Sequence, residues 1–183
     1  MPTISHRLSR APLVAIAVAA SVLATAIAAA PAAHAGISST TCTGSSVITY
    51  QPGLTNTPRT VSYTETDTFA HCISTDPTLA SGLFAVTVSL PGAYCLGLPT
   101  LTTNTPYDIA WNNGQASDIN LSYTDVVAEG IEQVTGVGTV TSGEFTGAAV
   151  TITWLYTVPD PLLCLTPGGV TGQTGPMTAE IAL

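Results

Sequence analysis

Residues 41–72 read TCTGSSVITYQPGLTNTPRTVSYTETDTFAHC, and the fold follows from how this stretch is parsed. Residues 46–50 form a short strand pattern, and Gln51-Pro52-Gly53 supplies turn chemistry. Residues 60–69 form a second strand, rich in Thr and aromatics. Cys42 and Cys72 stand at the two ends, placed to tie the strands together. One detail resists this parse. Val61, Tyr63 and Phe69 share a face, and an unbroken alternation would put Glu65 and Asp67 on it too. Two carboxylates on an apolar face are costly without partners. The expectation is that the strand bulges or leaves the sheet near Glu65. The other reading is that the two acids mark a site.

Outward from this stretch the same pattern recurs. Residues 83–90 alternate cleanly, with Phe84, Val86, Val88 and Leu90 on one side, and Pro91-Gly92 stops them. Tyr107, Ile109 and Trp111 form the next inward set. Asn112-Asn113-Gly114 is a hairpin turn signal. The return strand points Ile119, Leu121 and Tyr123 inward. Residues 131–141 break their own parity, because Val137 falls out of step with Val134 and Val140 and two glycines intervene. A bulge is the simplest account. Val150, Ile152, Trp154 and Tyr156 then alternate without fault, and Met177, Ala179, Ile181 and Leu183 give a last edge strand. About eight short strands and no helix of ten residues predict an all-β, two-sheet antiparallel β-sandwich around one core.

The N-terminus has a different logic. Arg7 and Arg10 precede an apolar run over residues 13–30, and Ala33-His34-Ala35 has the small-residue form of a cleavage site. This is the layout of a secretory signal peptide over 1–35, with a single domain over 36–183. A membrane anchor is the rival reading, since the run approaches the ~20 residues a bilayer needs. Pro31 and the cleavage site favour removal, which implies a secreted, extracellular protein with no membrane attachment after cleavage. No acidic residue lies in the leader. Residues 36–183 therefore hold all 11 acids against Arg59 alone, a net charge of −10 with no lysine. Such a surface repels nucleic acid and anionic polymers. The partners it admits are a neutral glycan, an extracellular protein, or cations.

All four cysteines, Cys42, Cys72, Cys95 and Cys164, lie beyond the leader. An even count in an exported chain implies two disulfides. Three pairings are possible, and Cys42–Cys72 with Cys95–Cys164 closes two separate stretches without crossing. No C-x-x-C occurs, which argues against zinc or thioredoxin-type chemistry.

The Ala-rich leader, TCTGSSVITYQPGLTNTPRTVSYT, the ITWLY strand, and the WNNGQAS and GTVTSGEFTG hairpins together resemble a group of secreted actinobacterial proteins. The resemblance covers most of residues 36–183. It implies location and a disulfide-bonded β-domain, and it carries no catalytic residues. Cys95, Trp111 and Cys164 also approach the Cys…Trp…Cys order of immunoglobulin domains. Leu162 stands where those domains carry a tyrosine, so the similarity is that of a sandwich only.

Catalytic chemistry has few candidates. A Ser-His-Asp triad would need His71, which sits beside a cysteine, and no G-x-S-x-G occurs. Paired carboxylates could hydrolyse a glycoside if one is buried. Glu65 with Asp67, and Glu129 with Glu132, are the close pairs. Asp118, Asp125, Glu129 and Asp160 are oxygen donors of the kind calcium takes, without a calcium-loop motif. No cofactor and no metal are expected. Tyr94, Asn112 and Asn113 are the loop residues best placed to touch a ligand. The expectation is a non-catalytic structural or binding module. A small hydrolase using Glu65 and Asp67 is the alternative, distinguished by whether either acid lies in a cleft.

Overall fold

The computed structural model describes residues 38–95 and 105–183. Eight strands follow one another in the chain: β1 (Ser39–Leu54), β2 (Arg59–Ser74), β3 (Gly82–Ala93), β4 (Thr105–Trp111), β5 (Ala116–Ala128), β6 (Ile131–Gly143), β7 (Ala149–Thr157) and β8 (Val170–Ala182). Each pairs antiparallel with its predecessor, and β8 pairs back onto β1. The sheet closes on itself as an up-and-down barrel. The all-β class, the strand count and both disulfides hold; the two-sheet sandwich does not. The last strand is correspondingly no edge: Ala179 pairs with Cys42 on one side and Ile152 on the other. Closure removes the free edges that an open sheet would expose.

The reason for closure lies in strand length. β1 and β2 each run 16 residues, and β1 continues through Pro52 and Gly53 despite their turn chemistry. Long, strongly staggered strands can tilt around a common axis and share one lumen. One end of that lumen is filled by apolar side chains. Phe69 and Trp111 sit 5.9 Å apart, Trp111 meets Phe145 edge-on at 6.1 Å, and Ile109, Ile119, Val140, Val150 and Ile181 pack among them.

The two anomalies of the sequence have one explanation. In β2 the alternation is unbroken: Val61, Tyr63, Glu65, Asp67 and Phe69 all turn inward, in continuous register with β3 from Val61 to Phe69. The strand does not bulge at Glu65; its irregularity against β1 falls at Thr43/Gly44. In β6 the register with β7 is continuous from Ile131 to Thr139, so no bulge falls among Val134, Val137 and the two glycines. Val137 is simply outward. Gly136 is buried because a Cβ there would stand 3.2 Å from both the Trp154 ring and Leu121. The bulge of β6 lies beyond this stretch: its pairing with β5 passes from Ser142–Asp118 to Val140–Ile119, which leaves Thr141 as the extra residue.

Among the described residues the β3–β4 ladder is the thinnest seam, with only Gly82–Trp111 and Leu83–Ala110 in register. Beyond it side chains take over, as Phe84 stacks on Tyr107 at 3.8 Å between ring centres. The hairpins obey turn chemistry. Glu129 and Gly130, at φ 51° and 78°, form the β5–β6 tip, where both central residues must be left-handed. At the β4–β5 turn only Gly114 adopts positive φ, and the Trp111 carbonyl accepts from the Gly114 N–H. Cys42 and Cys72 face each other across β1 and β2. Cys95–Cys164 joins the end of β3 to the 3₁₀ turn Pro161–Leu165.

Gly136→Val is expected to force Trp154 and Leu121 aside and lower stability by roughly 1–3 kcal/mol. Gly168→Ala, at a site with open space around it, is the matched control. Urea unfolding that found both variants equally stable would contradict this packing.

Candidate functional site

Above the apolar half, the lumen becomes polar. Asp67 is fully buried, 0% exposed, and sits where the two halves meet. Its Oδ2 accepts from Tyr107 Oη at 2.5 Å and from Trp154 Nε1 at 2.9 Å. Asp67 on β2 thereby ties itself to β4 and β7, neither of which is its neighbour in the sheet. Ser46 Oγ, which accepts from Tyr156 Oη at 2.8 Å, is close enough to favour the charged form of Asp67. It falls outside hydrogen-bond geometry, however, and Asp67 Oδ1 is left buried without a partner.

One step further along β2, Glu65 faces a cavity of about 280 Å³. Its walls carry Tyr50, Tyr63, Tyr123, Tyr156 and Trp154, with Glu65, Asp125, Glu132 and Gln173 as the other polar side chains. Val88, 41% exposed, and the exposed Asp125 open it to solvent. The polar groups form two short chains. Tyr63 Oη donates to Glu65 Oε2 at 2.6 Å. Tyr50 Oη donates to Gln173 Oε1 at 3.3 Å, and Gln173 Nε2 donates to Glu132 Oε2 at 3.2 Å. The Tyr50 and Tyr63 rings, 5.9 Å apart, bring the chains together. No basic side chain lines the cavity. The Arg59 guanidinium lies away from it and donates to the Gly53 carbonyl.

These surroundings set the proton affinities. Burial pushes Glu65 up to about 7; the charge of Asp67 adds to this and the Tyr63 hydrogen bond opposes it. Burial raises Asp67 as well, against the pull of Ser46, Tyr107 and Trp154 toward the charged form. Glu132 is raised by burial, with Gln173 opposing and Asp125 adding. The tyrosines Tyr50, Tyr63, Tyr123 and Tyr156 are held firmly protonated, first by burial and then by the acids around them.

The residues picked from sequence are distributed unevenly. Glu65 lies in the cleft and Asp67 directly beneath it, sealed from any ligand by its partners. Glu132, paired in sequence with Glu129, is an inward residue of β6; Glu129 stands at the hairpin tip. Asn112 is occupied structurally: Oδ1 accepts from the Ala80 and Ser81 N–H groups and Nδ2 donates to the Thr78 carbonyl. Asn113 is likewise engaged, with Asp76, Thr78 and Gln115. Tyr94 is half-buried at the end of β3, and His71 is exposed on β2. Asp160 caps the 3₁₀ turn by accepting from the Leu162 N–H. Among the described residues no three His, Cys, Asp or Glu side chains gather as a metal site.

The cavity tyrosines were not recognised from sequence as a set. They stand at inward positions of β1, β2, β5 and β7, and a buried tyrosine hydroxyl asks for a partner. That demand was the available signal. Fold and site define a closed eight-stranded barrel with an aromatic, acid-bearing lumen. No family model, curated protein or solved structure matches the chain.

The folded chain binds protons at Glu65 more readily than the unfolded chain, whose value is near 4.5. Stability should therefore fall as pH rises from about 4.5 to about 7, by about 1.4 kcal/mol for each pH unit separating the two values. Glu65→Gln should flatten that slope in urea unfolding between about pH 5 and about pH 8. An unchanged slope would place Glu65 in water. Tyr107→Phe keeps the stack on Phe84 but removes a donor from Asp67, and should cost about 1–3 kcal/mol.

Proposed function

We propose that the chain is an extracellular, non-catalytic binding protein that holds a small ligand inside its barrel. The observation that carries this reading is the open cavity with its tyrosine, tryptophan and carboxylate lining. An apolar body with a few polar groups is how small-molecule sites are built, and an eight-stranded barrel leaves room for one such ligand. Extracellular location is supported by the leader pattern and by two disulfides, which persist in oxidising compartments. Among the described residues no helix is long and apolar enough to cross a membrane. The ligand contacts move from the loop residues Tyr94, Asn112 and Asn113 to the lumen, because both asparagine side chains are committed to turns. Recognition of a neutral glycan or a protein at the outer surface is the weaker form of the reading.

A second reading rests on Glu65. A carboxyl raised to about 7 in a cleft has the property of a general acid. The Glu65–Asp67 pair cannot supply two carboxylates to one substrate, since Asp67 is buried and bonded beneath the cavity floor. A hydrolase would have to pair Glu65 with Glu132.

The test uses the protein exported with its own N-terminal segment, so that both disulfides form. Calorimetric titration with small neutral saccharides, alcohols and amines is expected to give saturable one-to-one binding for one class, with no turnover of chromogenic glycosides or esters. Turnover lost in Glu65→Gln would establish the hydrolase instead. Absence of binding across all classes would contradict the lumenal site.

A further inference from the structure

We propose that the barrel cavity selects a small organic ammonium ion, its nitrogen facing the Glu65 and Glu132 carboxylates and its apolar part against the tyrosine and tryptophan rings. The inference rests on the binding reading above and narrows it to one ligand class.

Three independent features of the lumen point this way. The first is charge. Glu65, Glu132 and Asp125 line the cavity, and no basic side chain faces them. Tyr50 lies within the field of both Glu132 and Glu65, which places the two acids around one space. A carboxylate withdrawn from water needs a proton or a cation. The described chain supplies neither partner, since Arg59 is turned to the Gly53 carbonyl. The second feature is the wall. Four tyrosines and one tryptophan surround the acids, and the faces of such rings attract cations most strongly when the pair is shielded from water. The third is the orphaned Asp67 Oδ1, fully buried below Glu65. It is an acceptor oxygen beneath Glu65 that no side chain among the described residues satisfies.

The kind of cation follows from the same geometry. A metal ion would require three or more converging oxygen, sulfur or imidazole ligands, and the described residues form no such cluster. Instead, most of the lining is aromatic or aliphatic, including Ile48, Val88, Leu90 and Val134. This suits an ion with a hydrocarbon body. An apolar cavity of about 150 Å³ accommodates benzene, so about 280 Å³ admits one ring with a short ammonium arm.

Binding of such an ion competes with protonation of the acids. The titratable groups facing Glu65 are Tyr50 on β1, Tyr63 and Asp67 on β2, Tyr107 on β4, Tyr123 and Asp125 on β5, Glu132 on β6 and Tyr156 on β7; β3 presents Val88 and Leu90, and β8 the neutral Gln173. The tyrosines remain neutral throughout, so only carboxylates change charge between acid and neutral solution. An ammonium ion should accordingly bind more tightly as pH rises.

Calorimetry with phenyltrimethylammonium, phenethylammonium and the uncharged phenethyl alcohol separates the possibilities. The expected result is saturable binding of at least one ammonium ion, about tenfold or more tighter than the alcohol. That affinity should weaken about tenfold between about pH 8 and about pH 5, while the alcohol is unaffected. Glu65→Gln and Glu132→Gln should each abolish most of the preference, with thermal unfolding confirming that both variants fold. Equal affinity for ion and alcohol would overturn the inference while leaving a binding cavity in place. An ammonium affinity indifferent to pH and to both variants would overturn it equally. If none of the three binds, the ammonium inference fails, and the wider ligand titration decides whether the binding reading fails with it.

Discussion

The structure depends on a carboxylate buried in the lumen of a barrel. Asp67 reaches from β2 to Tyr107 on β4 and Trp154 on β7, across strands that share no ladder with it. This matters most at the β3–β4 seam, where backbone pairing among the described residues is limited to two positions. There the Phe84 ring lies on Tyr107, and Tyr107 is anchored by Asp67. A hydrogen bond to a charged acceptor is among the stronger ones, and its loss would leave an uncompensated buried group. The cost of burying Asp67 is thus offset by three strands held in one arrangement around the lumen.

Everything above Asp67 follows from that arrangement. Trp154 must lie flat enough for its Nε1 to reach the acid, and Gly136 on β6 provides the space for its ring. With the ring in place, the upper lumen is left to Tyr50, Tyr63, Tyr123 and Tyr156; the hydroxyls of Tyr50, Tyr63 and Tyr156 bond to Gln173, Glu65 and Ser46. These side chains are too polar to close over one another as the lower core does. A cavity results, carrying negative charge without a counter-ion. Stability and ligand recognition therefore draw on the same acids, in opposite senses: protonation relieves the fold, and ionisation prepares the site.

Much of this was legible in the sequence. Eight strands, their inward residues, both disulfide pairings and the main turns followed from alternation, cysteine count and glycine placement. Closure did not, because a sandwich strand and a barrel strand share the same period of two. The difference lay in strand length: β1 and β3 continue through Pro52 and Pro91, residues whose turn chemistry marks a strand end. The site was hidden by a related assumption, that inward means apolar. Glu65 and Asp67 in β2, and Gly136 in β6, were read as breaks in the pattern when they were its inward members. A lumen tolerates residues that a sandwich core rejects, because its polar groups can bond across the interior. Asn112 and Asn113 misled in the opposite direction: polar loop residues suggested ligand contacts, but their side chains organise the neighbouring turns.

The most direct test of this account is the titration of the individual side-chain carboxyls of Glu65 and Asp67, followed by carbon NMR in the oxidised protein. Both should take up protons above their ordinary values of 4.5 and 3.8, with Glu65 changing near neutrality and each responding to the state of the other. Ordinary, independent titration of the two acids would show that they face water, and neither the polar lumen nor the site above it would survive that result.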